Sequence, residues 1–259
     1  MALKYPIVLV HGIAMRDKGK VFPPWGRIPA VLIKNGVDLY FGKTDAWGSI
    51  ESNAEMLKQT IDTILDLTKK DKINIIAHSK GGIDSRYFIM KYNYGNKVAS
   101  LTTISTPHHG SEIADLLYGK KRFHSIIIRI RLLLFGKLFG DANPDIYKVS
   151  YQLTTQNMKI FNQDITMDDK VYYQSIYTTM NDPSNDPALS ISYNYIKRIS
   201  GENDGLVSGN SAKWGKNIIK IDAAISHEQI IDHNLIIVPA INIPDIYLKI
   251  ADGLCKMGF

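Results

Sequence analysis

The chain has 259 residues, 45% of them hydrophobic, a formal net charge of +6 and a single cysteine, Cys255. This length suffices for one α/β domain with an insertion, residues 1–259, and a single cysteine excludes an internal disulfide. Because no nucleic-acid-binding motif accompanies the positive charge, we interpret the charge as a solvated basic surface and expect no nucleic-acid partner.

The N-terminus leads directly into the first predicted strand. It shows no charged segment followed by an apolar stretch, as a signal peptide would, and no apolar run is long enough to cross a bilayer. We therefore expect a cytoplasmic protein or a secreted mature form whose signal was removed, and not an integral membrane protein.

Five apolar segments predict buried strands, and segments with helical periodicity separate them. The strands are predicted at 7–11, 73–78, 98–105, 171–178 and 218–225, and the clearest helix at 51–69. Near-continuous apolar strands are typical of a parallel sheet covered on both faces. The alternation therefore predicts an α/β fold with a mostly parallel central sheet flanked by helices.

The sequence NIIAHSKGG at 74–82 carries the strongest functional signal. It predicts a buried strand, a sharp turn with Ser79 at its apex, and a helix. Residues two before and two after such a serine nearly touch, and here both are small, Ala77 and Gly81. We interpret Ser79 as a nucleophile. The alternative is an ordinary strand-to-helix turn whose serine only caps the helix.

A nucleophilic serine needs backbone amides that stabilise the developing oxyanion. The first predicted strand ends in His11-Gly12, where glycine lets the backbone turn toward a substrate. We predict the Ile13 amide as one donor and the Lys80 amide as the other, and we assign no role to the Lys80 side chain. For the His11 side chain we predict a structural role, as a hydrogen-bonding partner of this loop.

Two segments near the C-terminus offer partners for the serine, an acid followed by a histidine. Asp204 lies in a glycine-bearing turn, and His227 follows the last predicted strand. We predict that His227 takes the proton from Ser79 and that Asp204 orients the imidazole. His233 is the alternative base, although its place within a predicted helix favours His227 in a loop.

Residues 111–169 predict a helical insertion. Its segment from His124 to Phe139 is rich in Ile, Leu and Phe but interrupted by Arg129, Arg131 and Lys137, too short and too charged to span a membrane. As a helix it is apolar on most sides, so it must bury that surface. It is either a cap packed on the body or a mobile lid that swings onto lipid with its cations meeting anionic headgroups, and both can hold.

Four blocks of the sequence together resemble the bacterial true lipases of the α/β-hydrolase fold, the branch of the Pseudomonas, Burkholderia and Proteus lipases. The blocks are residues 5–13, 74–82, 98–115 and 203–216. The third block is the most specific, because its motif TPHxGS at 106–111 has no origin in the requirements of the fold alone. The resemblance implies an α/β-hydrolase fold with a lid or cap, a triad of Ser79, Asp204 and His227, and an oxyanion hole formed by the Ile13 and Lys80 amides.

The chain departs from those lipases at their metal sites. Their structural calcium has ligands two and six positions after the catalytic histidine, where this chain has Gln229 and His233, and Asp182 and Asp186 alone offer too few oxygen ligands. Related thermophilic lipases bind zinc through histidines of an early insertion, and no histidine stands in that part of this sequence. We therefore expect no metal and no cofactor.

These features predict a serine carboxylic ester hydrolase, a lipase or lipolytic esterase that acts on a lipid or ester substrate through an acyl-enzyme. An acyltransferase or thioesterase with the same triad is the alternative within enzymes. The alternative outside enzymes is a non-catalytic module that binds lipid surfaces, and the complete triad in the expected order argues against it.

Overall fold

The structure is a computed structural model that describes residues 3–17, 25–120, 126–232 and 241–259. The strands are β1 Ile7–Val10, β2 Leu39–Phe41, β3 Ile73–His78, β4 Val98–Ile104, β5 Tyr172–Thr179 and β6 Asn217–Ala224. They form one sheet in the order β2-β1-β3-β4-β5-β6, and every neighbouring pair is parallel. The predicted parallel sheet is confirmed. The short strand β2 was not predicted, because three half-buried residues give no alternation that the sequence could show.

Helices connect the strands in the described ranges. They are α1 Ile28–Lys34, α2 Ile50–Thr68, α3 Lys80–Lys91, α4 Glu112–Tyr118, α5 Ile126–Phe139, α6 Ile146–Gln152, α7 Thr155–Asp164, α8 Ser190–Ser200, α9 Gly209–Ala212 and α10 Ile243–Lys256. Short 3-10 turns lie at Tyr94–Asn96, Pro183–Asn185, Pro187–Leu189 and Gln229–Ile231. Within these ranges we find no helix that combines the length and the apolar character needed to cross a membrane.

Helices cover both faces of the sheet. On one face Leu9 shares a core with α1 and with Tyr247 of α10, and on the other face Val10 packs with α3 and with Leu57 of α2. Alternate residues of β1 therefore enter opposite cores, as in a strand buried on both sides. Because all strands run in the same direction, the loops that follow them meet at the carboxyl ends of the strands, where Ser79 and His227 lie.

The last strand departs from the prediction of burial. Four consecutive residues at the start of β6 are exposed, and the side chains of Ile218 and Ile219 are 43% and 44% exposed. The reason is position, because β6 is the edge strand of the described sheet and pairs only with β5 there. An apolar strand sequence alone does not distinguish an edge strand from a central one.

The predicted insertion at 111–169 holds α4 to α7, between β4 and β5. Ala114, Val149 and Met158 form a small core with Ile83 of α3, and Ile13 packs against it. The helix α5 behaves differently, because it leaves a row of large apolar side chains exposed. The row comprises Ile130 at 52%, Leu133 at 46%, Leu134 at 54% and Leu138 at 89%. Within the described chain this helix therefore packs on the body by one side only, and whether it is a cap or a lid stays a prediction. His124, where that helix was predicted to begin, lies outside the described residues.

Candidate active site

Ser79 stands at a strained turn between β3 and α3. Its backbone has φ 53° and ψ −131°, a conformation that non-glycine residues rarely adopt. Two neighbouring glycines make room for the turn. A Cβ on Gly81 would lie 2.5 Å from the carbonyl oxygen of His11, and a Cβ on Gly12 would lie 2.7 Å from the Cβ of Ser79. The serine is thus presented at the end of β3 with the loop after β1 pressed against it.

Ser79, His227 and Asp204 form a continuous chain of hydrogen bonds. The Ser79 hydroxyl and His227 Nε2 are 2.9 Å apart, and His227 Nδ1 is 2.8 Å from Asp204 Oδ2. The other oxygen of Asp204 accepts bonds from the amides of Leu206 and Val207, at 3.1 and 2.8 Å. All three residues are buried, at 9%, 5% and 1% exposure. The structure therefore brings together the three residues that the sequence pattern singled out, in the order that proton transfer requires.

The loop that carries His227 is held by side chains from the segment before α8. Ser226 Oγ donates to the fully buried carboxylate of Asp186 at 2.7 Å. Gln229 accepts from the Ser226 amide at 2.8 Å and donates to the Asn185 carbonyl at 2.9 Å. Hydrogen bonds within the protein thus occupy Asp186, a carboxylate considered for calcium, and Gln229, which stands at a calcium-ligand position of the resembled lipases.

No three His, Cys, Asp or Glu side chains cluster in the described part of the chain as a metal site would need. Asp182, the other carboxylate considered for calcium, accepts from the Ser184 amide at 2.8 Å and caps a 3-10 turn. His233, the alternative base and one of the two residues that stand where the resembled lipases have calcium ligands, lies outside the described residues. The expectation that the chain binds no metal stays a prediction.

The amides of Ile13 and Lys80 are the predicted oxyanion donors. In the described residues neither amide donates to a protein acceptor. Lys80 is the first residue of α3, so its amide belongs to the unpaired end of the helix, where the dipole favours negative charge. Ile13 lines the same cavity as Ser79 and His227. Both amides are therefore without a protein acceptor in the described part of the chain, and their role as oxyanion donors stays a prediction.

The side chain of Lys80, to which the sequence assigned no role, does not reach the cleft. Its ammonium is 2.6 and 2.8 Å from the two carboxylate oxygens of Asp84, one turn along α3, and both side chains are buried. Asn53 of α2 donates to the same carboxylate at 2.9 Å. Burial raises the pKa of the Asp84 carboxyl, and the bonds from Lys80 and Asn53 oppose that rise. The i, i+4 spacing of Lys80 and Asp84 was the signal in the sequence for this pair.

His78, next to the nucleophile, was not singled out from the sequence. Its ring lies 4.6 Å from the His227 ring between centroids, and its Nε2–H donates to the His227 carbonyl at 3.0 Å. Burial and the neighbouring His227 hold the pKa of His78 well below its usual value of 6.5. A neutral His78 can therefore support the loop of His227 without adding charge to the site.

The motif at 106–111, which the fold alone did not explain, has a structural basis. His108 is fully buried, stacks on Trp214 with ring centroids 4.9 Å apart, and lies 3.2 Å from an Arg86 nitrogen and 3.0 Å from the Thr103 hydroxyl. Burial and the Arg86 charge hold the pKa of His108 well below 6.5, and burial lowers the pKa of Arg86 to about 9. At the end of the motif, Ser111 caps α4. The motif therefore joins β4 to the insertion.

A cavity of about 580 Å³ has Ser79 and His227 in its lining. The rest of its wall is mainly apolar, and about half of its residues come from the insertion. The insertion contributes Ile113, Leu117, Leu132, Ile146, Val149 and Leu153. Trp47 lines the cavity from the body and contacts Phe135 of α5 with ring centroids 6.3 Å apart. Such a site accepts an apolar group and places it beside the serine.

Comparison with known proteins agrees with this geometry. The chain is 32% identical to a yeast protein, triacylglycerol lipase 2 of Saccharomyces cerevisiae, over 91% of this chain and 74% of that lipase. It is 30% identical to a triacylglycerol lipase of Vibrio cholerae, over 86% of this chain and 78% of that lipase. The chain belongs to this family of lipases. Residues 45–126 also match the family described as a PGAP1-like alpha/beta domain.

The lipase family extends to solved structures. The crystal structure of the mature Bacillus licheniformis lipase BlEst2 is 27% identical, covers 89% of this chain and 88% of its own, and superposes with a TM-score of 0.68. The resemblance to bacterial lipases and the α/β-hydrolase fold are therefore confirmed. The protein is a lipolytic carboxylic ester hydrolase, and the prediction that it is an enzyme is confirmed with it.

Proposed function

We propose that Ser79, His227 and Asp204 carry out the ester hydrolysis through an acyl-enzyme. Ser79 Oγ attacks the ester carbonyl carbon while His227 Nε2 takes the hydroxyl proton and then delivers it to the departing alcohol. A water molecule next attacks the acyl-enzyme with His227 as base, which releases the carboxylic acid and restores Ser79. Asp204 holds the proton of His227 on Nδ1 and stabilises the imidazolium.

The amides of Ile13 and Lys80 stabilise the negative oxygen of each tetrahedral intermediate in this proposal. Both belong to the backbone, so they need no reorganisation when the charge develops, and each such donor contributes roughly 10²–10³-fold to the rate. The observation that carries the proposed function is the unbroken chain of hydrogen bonds from Asp204 to Ser79, which ends in an apolar cavity.

For the substrate we propose an acylglycerol with long acyl chains. The cavity beside Ser79 is walled by aliphatic side chains, which suits a hydrocarbon chain and offers few partners to a polar acyl group. The relatives of this protein from yeast and Vibrio cholerae are named triacylglycerol lipases, which agrees with an acylglycerol substrate.

We further propose that α5 forms a lipid interface. In this proposal residues 111–169 are a helical insertion within a single domain. One side of α5 faces the cavity through Leu132, and its exposed side carries the row Ile130, Leu133, Leu134 and Leu138. Between Asp115 and Asp141 the sequence has no acidic residue. It has six basic ones there, Lys120, Lys121, Arg122, Arg129, Arg131 and Lys137. A helix with exposed apolar residues among cations suits an anionic lipid surface, and its movement there would open the cavity.

Covalent labelling tests the proposed nucleophile. A fluorophosphonate with an alkyl chain should add once to the native protein, and peptide mass spectrometry should place the adduct on Ser79. The variant Ser79→Ala should take up no label and should lose ester hydrolysis, while Ser111→Ala, a serine that lines the same cavity, should still be labelled at Ser79. An adduct on any other serine of the native protein would contradict the assignment.

Vesicle binding tests the proposed interface. Vesicles that contain phosphatidylglycerol should sediment the protein, and they should do so less at high salt than at low salt, because exposed charges are screened. Leu134→Ser with Leu138→Ser should weaken binding by about tenfold or more, since those side chains no longer bury apolar surface in lipid. The control is Ile191→Ser, which removes a side chain that is 85% exposed on α8. Equal vesicle binding by the α5 variant and the Ile191→Ser control would contradict the proposal that α5 contacts the lipid.

A further inference from the structure

The imidazole of His11 lies behind the peptide that joins Gly12 to Ile13. The residue is 2% exposed, and its Nδ1 is 2.8 Å from the Gly12 carbonyl oxygen. Its Nε2 is 3.2 Å from the Thr44 hydroxyl and 3.1 Å from the Thr44 carbonyl, with a carboxylate oxygen of Asp17 at 3.9 Å. Two lone pairs cannot face each other at 2.8 Å without repulsion, so the ring carries a proton on Nδ1 and donates it to Gly12.

The Gly12 carbonyl and the Ile13 N–H belong to the same peptide group. A trans peptide is planar, so its C=O and N–H point in opposite directions. A bond that holds the Gly12 oxygen toward His11 therefore turns the Ile13 N–H away from His11. The peptide lies against the nucleophile, because a Cβ on Gly12 would be 2.7 Å from Ser79 Cβ and 3.3 Å from Ser79 Oγ.

A second bond holds the loop just beyond Ile13. Ala14 adopts φ 61° and its amide donates to the Ala46 carbonyl at 3.2 Å. The same neighbouring loop, 44–46, thus holds the chain on both sides of the Ile13 amide, through Thr44 and His11 before it and through Ala46 after it. That loop is itself fixed, because the Lys43 amide donates to Asp17 at 2.6 Å.

We propose that His11 is a positioning residue for the oxyanion hole. Its Nε2 lies within hydrogen-bond distance of both the carbonyl and the hydroxyl of Thr44, which anchor the ring. His11 Nδ1–H donates to the Gly12 carbonyl, and the Ile13 N–H then points at the position of the oxyanion. This inference rests on the proposed function, in which the Ile13 amide binds that oxygen.

Three substitutions of His11 test the geometry. In His11→Asn the amide nitrogen is bonded to Cγ, the same position that Nδ1 has in histidine. In His11→Gln the nitrogen donor lies one atom further along the side chain, and His11→Leu has no donor. The kcat for a soluble p-nitrophenyl ester should fall about 10²–10³-fold in the Leu and Gln variants with KM little changed, and His11→Asn should recover most of that loss.

A trifluoromethyl ketone separates positioning from a general structural effect. It forms a hemiketal oxyanion on the serine, so its inhibition constant should rise in His11→Gln by the same factor by which kcat falls. Equal kcat for His11→Asn and His11→Gln, at any level, would overturn the proposal. Failure of the proposed function would appear elsewhere, as ester hydrolysis that survives in Ser79→Ala.

Discussion

Ser79, His227 and Asp204 are each less than a tenth exposed and joined by hydrogen bonds of 2.8 to 2.9 Å. Across the same cavity, α5 leaves four large apolar side chains between 46% and 89% exposed to solvent, Ile130, Leu133, Leu134 and Leu138. The first region is surrounded by further buried contacts, from His78, from the Lys80–Asp84 pair and from the bonds around Ser226. The second region contributes Leu132 to the cavity wall and presents its other face outward.

This difference shows how one domain can meet two demands. Bond making at a carbonyl needs groups held to within a fraction of an ångström, which buried and bonded side chains provide. Contact with an insoluble substrate needs apolar surface that is available before binding, which a packed core cannot provide.

The largest effect is expected from the buried chain of hydrogen bonds. His227→Ala and Asp204→Asn should each lower kcat for a soluble ester by roughly 10⁴-fold, about 5.5 kcal/mol of transition-state stabilisation, because the base or its tautomer is lost. Steady-state kinetics and circular dichroism measure the rate and the fold. A His227→Ala variant that keeps more than about a tenth of the native kcat would show that another residue is the base.

The extent to which sequence predicted these two regions differs for a physical reason. The elbow at Ser79 could be predicted because its requirements are local, a strand, two small residues and a helix within nine positions. Asp204 and His227 could be predicted from their order along the chain. The partners that brace them, such as Asp186 for Ser226 and Arg86 for His108, could not, because they come from distant segments that only the fold brings together.

For the insertion, the sequence predicted the helix but not its orientation. Its helix was predictable from composition, but the side of α5 that faces the body was not, since the helix is apolar on most of its circumference. The burial of β6 was overestimated and the strand β2 missed for a related reason. Position at a sheet edge depends on strand order, which hydrophobic patterns do not encode.

The next largest effect is expected at the buried pair beside the nucleophile. Asp84→Ala leaves the Lys80 ammonium buried without its partner, which should lower the free energy of unfolding by roughly 3–5 kcal/mol. Urea unfolding measures this loss. The matched control is Asp252→Ala, which breaks an exposed pair with Lys256 at the same i, i+4 spacing and should leave stability unchanged. A loss no larger than that of the control would mean that the buried pair is dispensable.

A smaller effect is expected from pH. The pKa values of His78 and His108 are lowered by burial, so below the usual value of 6.5 the unfolded chain binds protons that the folded chain does not. Stability should therefore be constant on this account above that pH and fall as pH drops below it, by up to about 1.4 kcal/mol per pH unit for each histidine.

Thermal unfolding followed between neutral and mildly acidic pH measures that slope. His108→Gln should reduce it by roughly half, since one of the two buried histidines no longer titrates in the unfolded state. An unchanged slope in that variant would mean that acid acts on the protein through other groups.

The most direct test of the division between the two regions is the rate on two substrates, an emulsified triacylglycerol and a soluble short-chain ester, for the same variant. We expect Leu134→Ser with Leu138→Ser to lower the rate on the emulsion by about tenfold or more while the rate on the soluble ester stays within about twofold of the native rate. Equal losses on both substrates, or no loss on either, would contradict the account, because the exposed row of α5 would then serve the fold or nothing rather than the lipid interface.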